Sequence, residues 1–391
     1  MERRTFIKTC AQALFLASLG PALTWERALA SEQPQDAILV AVHLQGGNDA
    51  LNTLPPLGDP LYHRARPQLA LSPRSTPTLA PGRGIHPSLS GLHHLYQEGK
   101  VAFVEGVGRP DHDRSHFRSI DIWQTAGNPT SADGWLGRLA ERHDLTSVSV
   151  GDELAHALSA HRHQPLSFTG ERMPEYPGGA DFHASLARMY GEQAGHGLRG
   201  AILESGRRLE EVVTDYREKT NQVKLPRFFG DNPTGRRFEM AARILAAGLP
   251  PRVLHLGVGS FDTHEDQANQ QARQLAEVDT ALSAFWQTME EHGLGRRVLV
   301  FGYSEFGRRV EENATGGTDH GAGGMAFLLG GKVRGGLRGT APDLASLRDG
   351  DLSHSVDYRR LYASILEGHF HHSDANSIVP GQAALPDLFA S

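Results

Sequence analysis

A carboxylate and an imidazole, two common ligands of divalent metals, stand side by side in a glycine-rich stretch of this chain. Asp319 and His320 lie within residues 316–324, where five of the nine positions are glycine. Because glycine lets backbone approach another group closely, this stretch favours a binding loop. Apolar runs flank the loop and predict strands, and sites of α/β sheets collect at strand ends. We therefore predict that His320 and Asp319 bind a metal ion.

Two more groups of candidate ligands follow apolar runs. Asp262 and His264 are two positions apart, so in extended backbone they point the same way and suit one shared metal. Glu305 follows another apolar run, and a carboxylate at the carboxyl end of a strand is well placed as a ligand. The alternative for Glu305 is an ion pair with Arg308 or Arg309.

Two earlier candidates each have two interpretations. Asp49 ends a Gly-Gly-Asn-Asp turn and is either a metal ligand or an ordinary turn residue. Ser115 stands at a predicted helix start and is either a nucleophile activated by a metal or an N-cap. The free N–H groups of that helix end favour an anion in either case. The remaining histidine clusters are interpreted as surface groups: His161, His163, His369, His371 and His372.

The elements that position these side chains alternate along the chain. Strands are predicted over residues 37–44, 101–107, 253–258, 297–303 and 325–329. Helices are predicted over residues 87–99, 115–123, 181–220, 236–247, 265–292 and 358–369. This order predicts an α/β fold with a doubly wound, mainly parallel sheet and helices on both faces. Residues 126–180 contain few long periodic runs and are followed by the helix predicted over 181–220, so residues 126–235 predict a helical or irregular cap insertion over the sheet edge.

The start of the chain has the pattern of an export signal. Arg3 and Arg4 form a twin-arginine motif, the following apolar stretch is shorter than the about 20 residues of a membrane span, and small residues end it. We predict a twin-arginine signal peptide over residues 1–30 and a single domain over residues 31–391. The protein would then use the twin-arginine export machinery and work in the periplasm or outside the cell. A frayed N-terminal helix is the alternative.

Composition excludes several functions. The only cysteine, Cys10, lies in the predicted signal peptide, so the mature chain has no thiolate ligand and no disulfide. The net charge is −6, and no basic tract with interleaved aromatic residues suggests nucleic acid as a partner. No second apolar segment predicts a membrane span in the mature chain.

Several motifs together resemble the exported bacterial family labelled domain of unknown function 1501 (DUF1501). They extend over nearly the whole mature chain: Leu44–Asp49, Arg114–Ser119, Asp121–Thr125, Gly134–Arg138, Ser304–Arg308 and Gly317–Gly321. That family is similar to the alkaline phosphatase and sulfatase superfamily. The resemblance implies an alkaline-phosphatase-like α/β domain with a metal site at the carboxyl ends of the strands.

The same resemblance implies roles for individual residues. Ser115 takes the place of the nucleophile, and the metal ligands correspond to Asp49, Asp262, His264, Glu305 and His320, with Asp319 as a substitute ligand. Phe306 occupies a position where the superfamily has a histidine ligand, and Asp262 and His264 are closer in sequence than the corresponding pair. These departures favour one metal, or a rearranged pair, over a complete two-metal site. Nucleophile settings of formylglycine sulfatases are absent, which argues against an ordinary sulfatase.

The expected function is therefore an exported metal-dependent hydrolase of phosphate or sulfate esters. Ser115 or a water is the expected nucleophile, and Arg114, Arg118 or Arg308 would clamp nonbridging oxygens. The expected cofactor is a divalent metal, zinc first, with manganese, magnesium and calcium as alternatives. The substrate would be a small-molecule or glycan ester. The alternatives are a non-catalytic glycan- or surface-binding module, which Phe306 favours, and an assembly partner of another exported protein.

Overall fold

The computed structural model of the protein describes residues 37–111, 113–169, 188, 211–225 and 227–390. The strands are β1 (Ile38–Leu44), β2 (Thr78–Ala80), β3 (Arg83–Gly84), β4 (Val101–Gly108), β5 (Thr146–Gly151), β6 (Leu166–Thr169), β7 (Pro251–Val258), β8 (Val298–Tyr303), β9 (Gly324–Gly330), β10 (Gly336–Gly339) and β11 (Val356–Asp357). The helices are α1 (Ala50–Thr53), α2 (Pro60–Ala65), α3 (Ser90–Gln97), α4 (His116–Thr125), α5 (Trp135–His143), α6 (Pro233–Ala246), α7 (Gln267–Glu291) and α8 (Tyr358–Gly368).

One large sheet organises the described residues. Its strand order is β10-β4-β9-β8-β1-β7-β5-β6, and β11 pairs with β4. Strand β9 is antiparallel to both of its neighbours, and every other pair in this sheet is parallel. The mainly parallel α/β fold predicted from the sequence is thus confirmed.

Burial on both faces explains the apolar composition of the central strands. All seven residues of β1 are buried. Val40 and Val42 of β1 pack into one core together with α3, α6 and α7, whereas Leu39 and Ala41 pack into a second core with α4, α5 and α8. Successive side chains of a strand point to opposite faces, so a continuous apolar run is what a strand between two helix layers requires.

The strand directions bring the ends of distant segments to one edge of the sheet. Strands β1, β4, β7 and β8 run the same way, so the loops that follow them meet at what we term the carboxyl edge. Strand β9 runs the opposite way, and the residues before it therefore reach the same edge. The opposite end of these strands is termed the amino edge.

The first described part of the predicted cap insertion, residues 126–169, does not stand apart from the sheet. Strands β5 and β6 extend the sheet beside β7, and α5 packs on one of its faces. Strand β5 was not predicted, although the alternation of polar residues with valine in its Thr-Ser-Val-Ser-Val-Gly segment is typical of a strand. Residues 170–187, 189–210 and 226 of the predicted cap, and the predicted signal peptide over residues 1–30, lie outside the described residues. Among the described helices, none combines the length and the apolar composition that crossing a bilayer requires.

Candidate metal centre

Three imidazoles and a carboxylate converge at the carboxyl edge. The Nε2 atom of His320 lies 3.0 Å from Nε2 of His116, 3.0 Å from Nε2 of His264 and 3.0 Å from Oδ1 of Asp262. Asp262 Oδ1 is also 3.0 Å from His264 Nε2, and Asp262 Oδ2 is 3.5 Å from His116 Nε2. Tetrahedral ligands bound at about 2.1 Å are about 3.4 Å apart, and ligand atoms of His116, Asp262 and His320 lie close enough to one another to hold one cation. His264 adjoins this group through His320 and Asp262.

The second nitrogen of each imidazole faces an acceptor. Nδ1 of His320 donates to the carbonyl oxygen of Arg114 at 2.8 Å. Nδ1 of His116 lies 2.8 Å from Oε1 of Glu305, and Nδ1 of His264 lies 3.3 Å from Oδ1 of Asp319. Because carbonyl and carboxylate oxygens accept, Nδ1 of each ring carries the proton and Nε2 offers its lone pair to the centre.

Glu305, a predicted ligand, lies behind His116. Its buried carboxylate also accepts from His43 Nε2 at 3.0 Å and from the backbone N–H of Gly46 at 2.9 Å. Burial raises the pKa of Glu305, but the hydrogen bonds from His116 and His43 outweigh burial and hold the pKa well below its ordinary value. The hydrogen bond to Glu305 in turn raises the pKa of His116. The structure thus places Glu305 as the residue that orients the ring of His116.

Arg308 connects the loops that carry the centre. Its buried guanidinium donates to Asp262 Oδ1 at 2.6 Å, and it also donates to the carbonyl oxygens of Gly46, Gly47, Phe261 and Thr318. Burial raises the pKa of Asp262, but the hydrogen bond and the positive charge of Arg308 prevail and lower it to about 2. With its N–H groups bound to protein atoms, Arg308 is not placed to clamp substrate oxygens, contrary to the expectation from the sequence.

Asp49, another predicted ligand, is not brought to the cluster. Its side chain caps α1 through the N–H of Leu51 and pairs with the buried guanidinium of Arg66, whose Nη1 is 2.5 Å from Asp49 Oδ2. The amide of Gln267 donates to the same oxygen at 2.5 Å. Asp49 therefore acts as a turn and capping residue, as one of its two interpretations predicts, and Arg66 balances the charge of its carboxylate.

The three predicted catalytic residues lie around the start of α4. Ser115 is the N-cap position, but its side chain makes no capping hydrogen bond and is exposed beside His116. Arg114 is anchored by Asp351, with Nη2 2.6 Å from the carboxylate. Arg118 is 66% exposed and 3.3 Å from Asp113. Of the two arginines, Arg118 is the more available to a bound ligand.

Phe306 fills the position where the resemblance implies a second histidine ligand. Its buried ring packs against the rings of His116 and His320, with centroids 4.8 Å apart in both cases. A side chain at Gly47 would collide with this ring. Phe306 therefore supports the two imidazoles and contributes no ligand atom, which agrees with a single cation.

Two residues of the centre were not predicted. His116 lies inside the Arg114–Ser119 motif, in the loop and helix that follow β4. Its position after a strand is the sequence feature that could have identified it as a candidate ligand. His43 lies within β1 among apolar neighbours, and nothing in its local pattern distinguishes it from a core residue. Its partner Glu305 is 262 positions away, so only the fold reveals the contact.

A comparison of the fold with solved structures finds similar proteins at low sequence identity. The C-terminal periplasmic domain of EcEptC from Escherichia coli, in complex with Zn, has a TM-score of 0.39 and 9% identity, over 76% of this chain and 73% of that chain. A PsFucS1 sulfatase from Pseudoalteromonas sp. has a TM-score of 0.39 and 11% identity, over 83% and 70%. The phosphonate monoester hydrolase of Agrobacterium radiobacter has a TM-score of 0.40 and 11% identity, over 79% and 71%.

No curated protein matches the chain by sequence. The model of the family described as "Protein of unknown function (DUF1501)" matches residues 104–379. This match covers more than half of the chain and includes His116, Asp262, His264 and His320. The protein therefore belongs to the DUF1501 family, as its motifs predict.

Proposed function

We propose that this protein is a metal-dependent hydrolase of phosphate or sulfate esters. One divalent cation would be held by His116, Asp262, His264 and His320. The observation that carries the proposal is the convergence of three Nε2 atoms and a carboxylate oxygen within 3.0–3.5 Å of their neighbours. Three nitrogen lone pairs this close repel one another and Asp262, and a cation removes that repulsion.

The donor set indicates the kind of metal. Imidazole nitrogen suits zinc, whereas magnesium and calcium prefer shells of oxygen ligands. Three histidines with one aspartate therefore favour zinc, with manganese as the next candidate. A cation bound there supplies Lewis acidity, which lowers the pKa of a nearby hydroxyl or water and neutralises charge on the oxygens of the transferring group.

The start of α4 provides the groups that would meet the substrate. Ser115 stands in the chain between Arg114, whose carbonyl orients His320, and His116, whose ring belongs to the centre, and its side chain is exposed. The N–H groups of the first turn favour an anionic ester group, and the exposed guanidinium of Arg118 adds positive charge there. Ser115 is the proposed nucleophile, and water is the alternative.

Metal content tests the cation site. Purified protein should contain one equivalent of zinc by elemental analysis, and His116→Ala and His320→Ala should each lose it while keeping the native circular dichroism spectrum. Glu305→Gln should bind zinc about 10–100-fold more weakly, because it removes the carboxylate that orients His116. Glu311→Gln, which changes an exposed carboxylate, is the matched control and should bind zinc normally. Native protein that binds no divalent metal would refute the proposal.

Turnover tests the reaction. Zinc-loaded protein should hydrolyse at least one class among aryl phosphate monoesters, aryl phosphate diesters and aryl sulfates. Ser115→Ala should abolish turnover and keep zinc if the serine is the nucleophile, and turnover that survives would assign the role to water. Folded, zinc-loaded protein that is inert on all three classes would instead favour the non-catalytic glycan- or surface-binding module. One observation favours this alternative: Arg114 and Arg308 already bind carboxylates of the protein itself.

We also propose that the protein is exported by the twin-arginine machinery. The support is the motif at Arg3 and Arg4, followed by a short apolar stretch and small residues. Fractionation of cells that express the full chain should place the mature protein outside the cytoplasm. The change of both arginines to lysine should retain the precursor inside.

A further inference from the structure

A cavity lies at the amino edge of the sheet, at the opposite end of the strands from the candidate metal centre. Its volume is about 770 Å³, within the range of small-molecule sites. Its wall includes Ala37 before β1, Arg252 at the second position of β7 and Arg297 before β8. Lys332 follows β9, which runs the opposite way, and so reaches the same edge.

The wall of this cavity is strongly basic. Arg252, Arg296, Arg297 and Lys332 all line it, and no carboxylate stands among its lining residues within the described part of the chain. Cationic side chains gathered around one small volume create a positive potential that attracts an anion into it. The remaining wall includes Leu145 and Phe370, so an apolar surface stands next to the charges.

Three histidines also line this cavity. His143, His369 and His371 line the cavity, and Nε2 of buried His369 donates to the carbonyl oxygen of Ile38 at 3.0 Å. Burial, with a smaller effect from the charges of Lys332 and other cationic neighbours, lowers the pKa of His369 to about 4. His369 therefore stays neutral and holds the wall in place, and the positive field of the cavity comes from its arginines and lysine.

The cavity is separate from the candidate metal centre. The metal ligands lie at the carboxyl edge, and the basic residues lie at the amino edge. Strand β8 spans the sheet between them with six residues, or about 20 Å at about 3.3 Å per residue. A small ligand in the cavity cannot touch the metal ligands, so the two sites take different molecules or different parts of a long one.

We propose that this cavity binds a ligand that carries one or more phosphate groups. Several guanidinium groups around one pocket match the bidentate geometry of phosphoryl oxygens. The ligand could be a soluble polyphosphate or the headgroup of an anionic phospholipid, since both present the same chemistry. This inference does not depend on the proposed hydrolase activity.

Two binding measurements test the proposed cavity site. One is calorimetric titration with inorganic tripolyphosphate, and the other is sedimentation with phosphatidylcholine vesicles, with and without phosphatidylglycerol. The variant R296Q/K332Q removes two charges from the cavity wall and leaves the metal ligands untouched. The control R64Q/R74Q removes two exposed charges elsewhere. Elemental analysis confirms that both variants keep the metal content of the parent, so that differences in binding belong to the cavity.

The expected result is that at least one probe binds, that R296Q/K332Q weakens its binding by about tenfold or more, and that R64Q/R74Q does not. Tripolyphosphate binding identifies a soluble ligand, and binding only to vesicles with phosphatidylglycerol identifies a lipid headgroup. The proposal is overturned if neither probe binds, or if both variants weaken binding equally, because the effect then reflects net charge alone.

Discussion

At the scale of single residues, the partner of each charged group decides its role. Glu305 and Asp49 are both buried carboxylates that follow central strands. Glu305 accepts from two histidines and orients a ring of the centre, whereas Asp49 is neutralised by Arg66. Two residues of the same chemical type at the same edge of the sheet therefore act differently, because different side chains reach them.

Asp49→Asn tests this distinction. The change should leave zinc binding intact, because the carboxylate has no contact with the cluster and serves Arg66 and Gln267. It should lower the free energy of unfolding by about 3 kcal/mol, because it leaves the buried charge of Arg66 without its partner. Urea unfolding of the metal-free protein measures the loss of stability, and elemental analysis measures the zinc.

The opposite pattern, in which the Asp49→Asn variant keeps its stability and loses zinc, would show that Asp49 is a ligand as the sequence predicts. If Asp49→Asn lowers both the stability and the zinc content, the variant Arg66→Met distinguishes a structural ion pair from a metal ligand. This change removes the cation and should leave zinc unchanged if the pair is structural.

At the scale of elements, the loop between β8 and β9 positions the centre through backbone contacts. Gly321 donates its N–H to the carbonyl of Gly307 at 2.9 Å, and Arg308 and His320 form an isolated antiparallel bridge. A Cβ atom at Gly321 would lie 2.5 Å from the carbonyl carbon of Arg308. The glycines of this loop therefore permit close packing of its two arms, as their frequency in the sequence suggests.

Gly321→Ala should disturb the centre without touching a ligand. The new methyl group forces the two arms apart, which displaces the adjacent His320 and costs about 1–3 kcal/mol of stability. Zinc affinity, measured with a competing chelator, should fall by about tenfold or more because ligand geometry is exacting. Gly151→Ala is the control, since its Cβ would meet nothing closer than 3.9 Å. Equal zinc affinity in the two variants would contradict this account of the loop.

The elements themselves were largely predictable. Helix α7 was predicted over residues 265–292 and extends over Gln267–Glu291, because Leu275, Val278 and Leu282 recur at helical spacing and are buried. The predicted strands around the site likewise end within a few residues of the observed ones. The direction of β9 was not predictable, because an apolar run is the same whether its strand is parallel or antiparallel.

At the scale of the whole molecule, the core contains histidines that must stay neutral. Burial lowers the pKa of His255 to about 3 and the pKa values of His86, His163 and His369 to about 4. In the unfolded chain these groups titrate near 6.5. Below that value the unfolded chain binds protons that the folded chain rejects, so acid favours unfolding.

Stability of the metal-free protein should therefore fall as the pH is lowered from about 6.5 to about 4. Each histidine contributes a slope of up to about 1.4 kcal/mol per pH unit. His116, whose pKa is raised, adds stability as the pH falls towards 6.5 and contributes no further slope below that value. Urea unfolding at intervals between pH 8 and pH 4 measures the slope. His163→Gln should reduce the slope by the contribution of one histidine, and a stability that does not change across this window would contradict the prediction.

The sequence by itself determined the fold class and the chemical type of the centre. Apolar runs and helical spacing are local properties, and loops after parallel strands must meet at one edge, so the meeting of Asp262, His264 and His320 at that edge was predictable. Only the tertiary structure decided that His116 joins them, that Glu305 stands behind it and that Asp49 pairs with Arg66. The direction of a side chain in a loop is set by hydrogen bonds and ion pairs to residues far along the chain, and these partners are known only once the loops are packed together.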